Sequence, residues 1–237
     1  MAVRTPKGTQ TRARILEVAL VLFKLQGYEK TTMRRIAREA GVSLGSTYYY
    51  FQSKEHLIQA FYYQLYLSHE KNCQALLVST RDLKSRLTSV LKAKLELSAP
   101  YHGFSVVIFR AAIDPRSPLN PFSPESEPLR LDSIRLMREV LEGSGAGARL
   151  TLERELPILL WLYELGITLY WAQDYSEKRR DTFHLLERTA DIVCWIVRFS
   201  NIPLMRPLLR SLCQLVTDIH HQIPKKSKQI QPQINPL

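Results

Sequence analysis

The chain has 237 residues, 45% of them hydrophobic, with 33 basic against 22 acidic side chains and a net charge of +11. That length and apolar content exclude a disordered or fibrous chain and provide material for a sizeable core. Nine glycines and 13 prolines argue against a β-sandwich, and so strong a positive charge implies a polyanionic partner such as nucleic acid or an acidic membrane.

The charge is concentrated. Residues 1–54 hold ten basic side chains against Glu17, Glu29 and Glu39, a surplus of seven, and Lys225, Lys226 and Lys228 add three beyond Ile223. The intervening residues are nearly neutral, so a terminal module is marked as the polyanion contact. Cys73, Cys194 and Cys213 are too few and too widely spaced for a disulfide framework or a zinc site. The N-terminus, MAVRTPKGTQTRAR, has no apolar secretory core, and a cytoplasmic protein is expected. Pro157 to Ala172 is the one stretch that imitates a membrane span. It falls short of the roughly 20 residues required and carries Glu164 at its centre, so burial among protein helices is expected and no membrane partner.

In chain order the apolar spacing is helical throughout, without sustained period-2 alternation, and the expected fold class is all-α. Thr11 to Gln26 predicts a helix ended by Gly27, with Ile15, Leu16, Ala19 and Phe23 facing a core. Thr32 can cap a short helix, Met33 to Ala40, because its hydroxyl can accept an orphan amide hydrogen. Gly41 suits the left-handed position that ends it. After a turn of about three residues Ser43 can cap a second short helix, Leu44 to Tyr50, with Val42 in the corner. Ile36, Ala37 and Ala40 let the two helices cross closely, which is the sequence form of a helix-turn-helix unit at 32–51.

Leu57, Ile58, Phe61 and Leu65 predict a further helix after a possible Ser53 cap. Leu83, Leu87, Val90 and Leu91 predict the next, stopped by Pro100, and 101–113 is a shorter apolar segment. Asp114 to Pro128 holds five prolines and is expected as loop or extended chain. Ile134, Met137, Val140 and Leu141 restore the helical pattern, which ends in a glycine cluster, Gly143 to Gly147. That cluster lacks both the preceding strand and the spacing of a phosphate loop. Thr151 to Tyr175 predicts a long apolar helix. Phe183, Leu186, Ala190, Val193 and Val197 form the seam of another, and Leu204 to Ile219 marks one more at 203–221.

The run from Arg14 to Leu57 resembles the DNA-binding domain of the tetracycline-repressor (TetR) family of bacterial regulators. The resemblance rests on Gly27-Tyr28, Thr31 to Ala37, Ala40 to Ser43, Gly45, Tyr48, Tyr50-Phe51 and Ser53 to Glu55. Thr47 departs from the family's usual Leu, Ile or Val, and looser packing is expected there. The resemblance implies an N-terminal DNA-binding domain at 8–68, a C-terminal effector-binding and dimerisation domain at 69–223, and a tail at 224–237 that reads as disordered. It implies that Leu44, Gly45, Ser46 and Tyr49 face base edges in the major groove, while Thr32, Ser43, Tyr48 and Lys54 hold phosphates. Arg34 or Arg35 can reach a guanine edge, and Arg4, Lys7 and Arg12 can form a flexible minor-groove arm.

The same resemblance implies a sequence-specific regulator, in the main a repressor released from a pseudo-palindromic double-stranded operator by a small, largely apolar effector. It also implies a homodimer through helices near 151–175 and 178–200, the seam of the second supporting it. Phe109, Met137, Trp161 and Tyr163 are the expected pocket linings. No catalytic constellation, cofactor motif or metal-spaced cluster is present in the sequence, and the six histidines are scattered. A protein that associates with DNA nonspecifically through its basic ends is the competing reading. An enzyme using the C-terminal pocket is a more distant one.

Overall fold

The computed structural model describes residues 6–145 and 155–199, together with Ser211, and all the regular structure in these segments is helical. The predicted helix at 203–221, apart from Ser211, the tail at 224–237, Arg4 and the first residues of the helix expected from Thr151 lie outside them.

Helix α1, Pro6–Gln26, begins five residues before the predicted start, on a proline whose fixed φ suits a first helical residue. Lys7 and Arg12 are therefore helical residues, and Arg12 lies 4.8 Å from the Phe51 ring centroid. The backbone at both positions is helical, which corrects the flexible-arm reading for them. Gly27 ends α1 with φ +86°, a conformation glycine adopts without steric cost. Ile15, Leu16, Ala19 and Phe23 are all buried, because their spacing puts them on one helical face.

Helices α2 (Met33–Glu39) and α3 (Leu44–Tyr50) follow. Gly41, at φ +63°, turns the chain between them. Helix α4, Lys54–Ser79, then runs unbroken, so the domain boundary expected at 68–69 falls inside one continuous helix. The sequence offers no breaker before Thr80. Ser53 stands at the cap position of α4 without a capping hydrogen bond, its hydroxyl lying 2.9 Å from His56 Nδ1 instead.

The larger bundle comprises α5 (Leu83–Ser98), α6 (His102–Ile113), α7 (Glu127–Glu142), α8 (Glu155–Gln173) and α9 (Arg180–Phe199). A single 3-10 turn, Ala99–Tyr101, carries Pro100 between α5 and α6. The proline-rich stretch is a ladder of tight turns: the amides of Ser117, Asn120 and Ser123 donate to the carbonyls of Asp114, Ser117 and Asn120 at 2.9–3.0 Å. Pro115, Pro118 and Pro121 each occupy the second residue of a turn, where a fixed φ is favoured. Pro128 belongs to the first turn of α7 rather than to the loop, where its missing N–H costs nothing.

Two cores result. Ile15, Phe23, Ile36, Phe51, Leu57, Ile58 and Phe61 form the first, which also draws in Ile108 and Leu119 from the second part of the chain. Leu87, Val90, Met137, Val140, Leu160, Leu186 and Val197 belong to the second. Most of the α9 seam packs inside the chain: Leu186, Ala190 and Val197 are buried against the bundle together with Cys194, while Phe183 and Val193 are half-buried. Lys84 holds Asp191 at 2.8 Å, and Lys92 pairs with Glu187, fastening α5 to α9.

Candidate nucleic-acid interface and internal cavity

The two short helices are set by their caps. Thr32 Oγ1 accepts the Arg35 amide at 3.2 Å, and Ser43 Oγ accepts the Ser46 amide at 3.0 Å. Thr47, the residue expected to pack loosely, is fully buried, and its hydroxyl donates to the Ser43 carbonyl at 3.2 Å. Its methyl fills the crossing while its hydroxyl is satisfied within its own helix, so no looseness follows. Ile36, Ala37 and Ala40 are buried beneath α3.

The opposite face of the unit is open. Thr32, Arg34, Ser43, Gly45, Tyr48 and Tyr49 are exposed, with Tyr49 at 77%, while Leu44 and Ser46 are half-buried. A Cβ on Gly45 would meet only Ser43 Oγ, at 4.0 Å. Nothing inside the protein requires glycine at that point of the helix. Tyr50 is half-buried and Phe51 is core. Arg35 and Arg38 pair with Glu39 on the surface at 3.1 and 3.3 Å, which leaves Arg34 as the basic side chain of α2 best placed to reach outward.

Lys54 is fixed rather than trailing in solvent. Its Nζ donates to the Tyr28 carbonyl at 2.8 Å and lies 4.2 Å from the Tyr28 ring centroid. Tyr28 in turn donates its hydroxyl to Glu55 Oε1 at 2.7 Å. Burial first, and then the Glu55 carboxylate, raise the Tyr28 phenol well above its usual value, so it stays a proton donor. Tyr28 and Glu55, unassigned in the sequence reading beyond their motif positions, thereby lock the start of α4 to the end of α1.

The second feature is a cavity of about 180 Å³. Helices α4 to α8 and the turn ladder line it and leave it partly open, and its walls are mostly apolar and aromatic, among them Phe61, Tyr101 and Trp171. Phe109 and Trp161 line it. Met137 and Tyr163 do not. Met137 is fully buried in the second core, about one turn further along α7 than the lining residue Ser133. Tyr163 points to α9, where its hydroxyl meets Thr189 Oγ1 at 2.7 Å. Helical spacing identified both as inward-facing without deciding which inside they face.

Sequence reasoning also missed the polar residues of this cavity. Arg130 and Glu164 are nine-tenths buried or more, and His69 and Lys94 join them in the lining. Burial, the largest influence, lowers the His69 imidazole below its usual value, which keeps it neutral at neutral pH. A charge set in an apolar stripe, as Glu164 is in PILLWLYELGITLYWA, is the signal that could have found the site. Among the described residues no group of histidine, cysteine and carboxylate side chains could hold a metal ion, and no helix is long and apolar enough to cross a membrane.

Comparison with known proteins bears on both features. The family profile described as bacterial regulatory proteins, tetR family, matches residues 15–61. The profile of the tetracyclin repressor-like C-terminal domain matches residues 86–218. The transcriptional regulator TtgR of Pseudomonas putida is 38% identical over 76 residues, 32% of this chain and 36% of its own length. AcrR of Shigella flexneri is 45% identical over 58 residues, 24% of this chain and 27% of its own. The chain therefore aligns with only about a third of these curated relatives or less. A solved TetR regulator from Nitrosomonas europaea superposes with a TM-score of 0.60 at 20% identity, covering 78% of this chain and 99% of that one. FadR of Thermus thermophilus, a TetR-family repressor solved with lauroyl-CoA, gives 0.59 at 25% identity, covering 81% and 94%.

Proposed function

The chain belongs to the tetR family of bacterial regulatory proteins, and from that premise we propose that it is a homodimeric, cytoplasmic repressor which leaves its operator when a small molecule enters the internal cavity. The matched relatives are regulators rather than enzymes. The observation that carries the DNA reading is Gly45: a residue poor at forming helices sits exposed within α3 where the fold has room for a side chain. Close approach of an outside surface accounts for it.

In this reading α3 enters the major groove. Leu44, Gly45, Ser46 and Tyr49 face base edges, with Arg34 reaching a guanine from α2. Thr32, Ser43, Tyr48 and Lys54 hold phosphates, as suits hydroxyls, short helix starts and an ammonium. Lys54 has committed one of its three N–H donors to Tyr28, so its charge is held at a fixed place with donors to spare. The surplus of seven positive charges over residues 1–54 supplies attraction irrespective of sequence.

Coupling to the cavity runs through α4. Phe61 belongs to the core beneath α3 and also lines the cavity, so a molecule lodged against α4 bears directly on the seat of the DNA-binding unit. Gln59, another lining residue, also donates to the Pro118 carbonyl at 3.3 Å. Release requires that the ligand favour a dimer whose recognition helices miss the spacing of successive major grooves.

The test is Gly45→Ala assayed alongside the wild type on an operator selected from random duplexes. The wild type should enrich one pseudo-palindrome. The variant should keep its melting temperature or gain slightly, by about 0.5–1 kcal/mol of helix propensity, yet bind that operator at least roughly tenfold more weakly, the equivalent of about 1.4 kcal/mol. Equal binding by the two proteins, or no enriched sequence, would overturn the reading.

A further inference from the structure

Among the described residues, two buried side-chain polar atoms have no hydrogen-bond partner, Arg130 Nε and Glu164 Oε2. Both residues line the same cavity. Buried polar groups in folded proteins are almost always paired, and a charged one left unpaired is strongly destabilising. Two such atoms on one cavity are a feature that needs an occupant.

The rest of each side chain is already engaged. Arg130 Nη1 donates to the Pro121 and Ser123 carbonyls at 2.8 and 3.1 Å, and Nη2 stands 3.8 Å from the largely exposed Glu127. The turn ladder thus holds the guanidinium, with Nε–H as the donor left over. Glu164 Oε1 pairs with Lys94, leaving Oε2 as an acceptor. Among the polar groups of this mostly apolar, aromatic chamber they are the donor and the acceptor left unpaired, and because neither atom has appreciable accessible surface, a ligand reaches them by a small shift of the side chains that cover them. Its lining charges, Arg130 and Lys94 against Glu164, come to one positive charge, and the carboxylate that faces Arg130 from outside the lining, Glu127, is largely exposed and stands at 3.8 Å.

Size narrows the occupant further. An apolar cavity of about 150 Å³ takes one benzene molecule, and this one measures about 180 Å³. We propose that the cavity binds a monocyclic aromatic monoanion bearing a hydroxyl group, a hydroxybenzoate-type molecule. Its carboxylate accepts from Arg130 Nε–H, its hydroxyl donates to Glu164 Oε2, and its ring stacks among Phe109, Trp161 and Trp171. A monoanion also cancels the surplus charge. The inference rests on reading this cavity as the effector site, and it names the chemistry that site selects.

The experiment is a calorimetric titration of the full chain with 3- and 4-hydroxybenzoate, benzoate, phenol, toluene, 4-methoxybenzoate and lauroyl-CoA. The better hydroxybenzoate should bind about tenfold or more tightly than benzoate, phenol or the methoxy compound, since each loses one hydrogen bond to a buried charge. In Glu164→Gln, whose amide can donate to an ether oxygen, the preference for hydroxy over methoxy should shrink to within about threefold. The wild-type series stands whether or not that variant folds. Toluene or benzoate binding as tightly as the hydroxybenzoates, or binding of lauroyl-CoA alone, would overturn the assignment.

Operator affinity measured in the same samples separates the two readings. Tight hydroxybenzoate binding without loss of operator affinity sinks ligand-driven release and leaves the ligand class standing. Release by lauroyl-CoA with no hydroxybenzoate binding does the reverse.

Discussion

Gly143 has an ordinary helical φ of −77°, so backbone freedom does not explain it. A Cβ there would come within 2.1 Å of Arg86 Nη2. That guanidinium is buried and donates to four main-chain carbonyls, those of Val140, Glu139, Thr80 and Leu77, tying the ends of α4 and α7 to α5. The side chain is flexible in principle, but moving it breaks bonds that nothing else can replace. Gly143→Ala should therefore destabilise the fold by about 1–3 kcal/mol. At this chain length that is a fall of roughly 2–4 °C in melting temperature per kcal/mol. Scanning calorimetry or thermal circular dichroism checks it, and Gly45→Ala, where a methyl meets open space, is the control that should show no fall. Individual residues were legible in the sequence where their work is local. The hydroxyls of Thr32 and Ser43 cap the helices their spacing predicts. Arg86, Arg130 and Glu164 were not, because Arg86 reaches carbonyls 53 and 54 residues away, Glu164 pairs with Lys94 70 residues away, and Arg130 meets carbonyls of a turn whose shape the sequence reading left open.

At the scale of elements, the entry to α9 depends on one carboxylate. Asp174 Oδ2 accepts the Thr182 amide at 2.9 Å and the Thr182 hydroxyl at 2.6 Å, while Oδ1 accepts the Ser176 amide at 2.8 Å. Burial, the largest influence, raises this carboxyl, but the hydrogen bonds from Ser176 and Thr182 together outweigh it and hold the group at about 2. Because the folded value lies below the ordinary value of 3.8, the stabilisation is present above that ordinary value and is lost as pH falls through about 2. Chemical denaturation at pH 7 should show Asp174→Asn less stable by about 1–2 kcal/mol, in line with lost capping interactions. The difference between the two proteins should shrink steadily between about pH 4 and pH 2, and a difference that is constant across that window would assign the effect to packing. The connection itself was not legible in advance. Lys178 and Arg179 take left-handed conformations, φ 52° and 60°, without a glycine to announce the turn. The proline ladder was legible in part: its composition marked a loop, while the three-residue spacing of Pro115, Pro118 and Pro121 encodes the repeated turn that shapes one wall of the cavity.

For the whole molecule, most of the seam expected to pair two copies packs inside one. The α9 positions left outward are Ile192, Trp195 and Ile196, and those of α8 are Leu169 and Tyr170, all exposed, with Ile192 and Trp195 more than half so. On α9 they repeat at i, i+3, i+4, while Leu169 and Tyr170 lie near the C-terminal end of α8. Helical periodicity in the sequence located α8 and α9. It could not choose between two apolar stripes on α9, because both satisfy the same spacing and only the packing of α5 decides which is covered. Exposed apolar surface of this kind, rimmed by polar residues, marks an interaction face. In a twofold dimer each residue of that face occurs twice in the interface, so a single substitution counts double. Trp195→Asp, removing an aromatic anchor worth about 2 kcal/mol or more on each side, should raise the dimer dissociation constant about a thousandfold. Analytical ultracentrifugation at micromolar concentration should then find a monomer with unchanged helical circular dichroism. The same variant should lose most of its operator affinity although every residue proposed to face DNA is intact, since half of a pseudo-palindrome is bound far more weakly than the whole. If it stays dimeric, the copies meet elsewhere. If it becomes monomeric yet grips the operator as before, DNA recognition does not need two recognition helices held at one groove spacing.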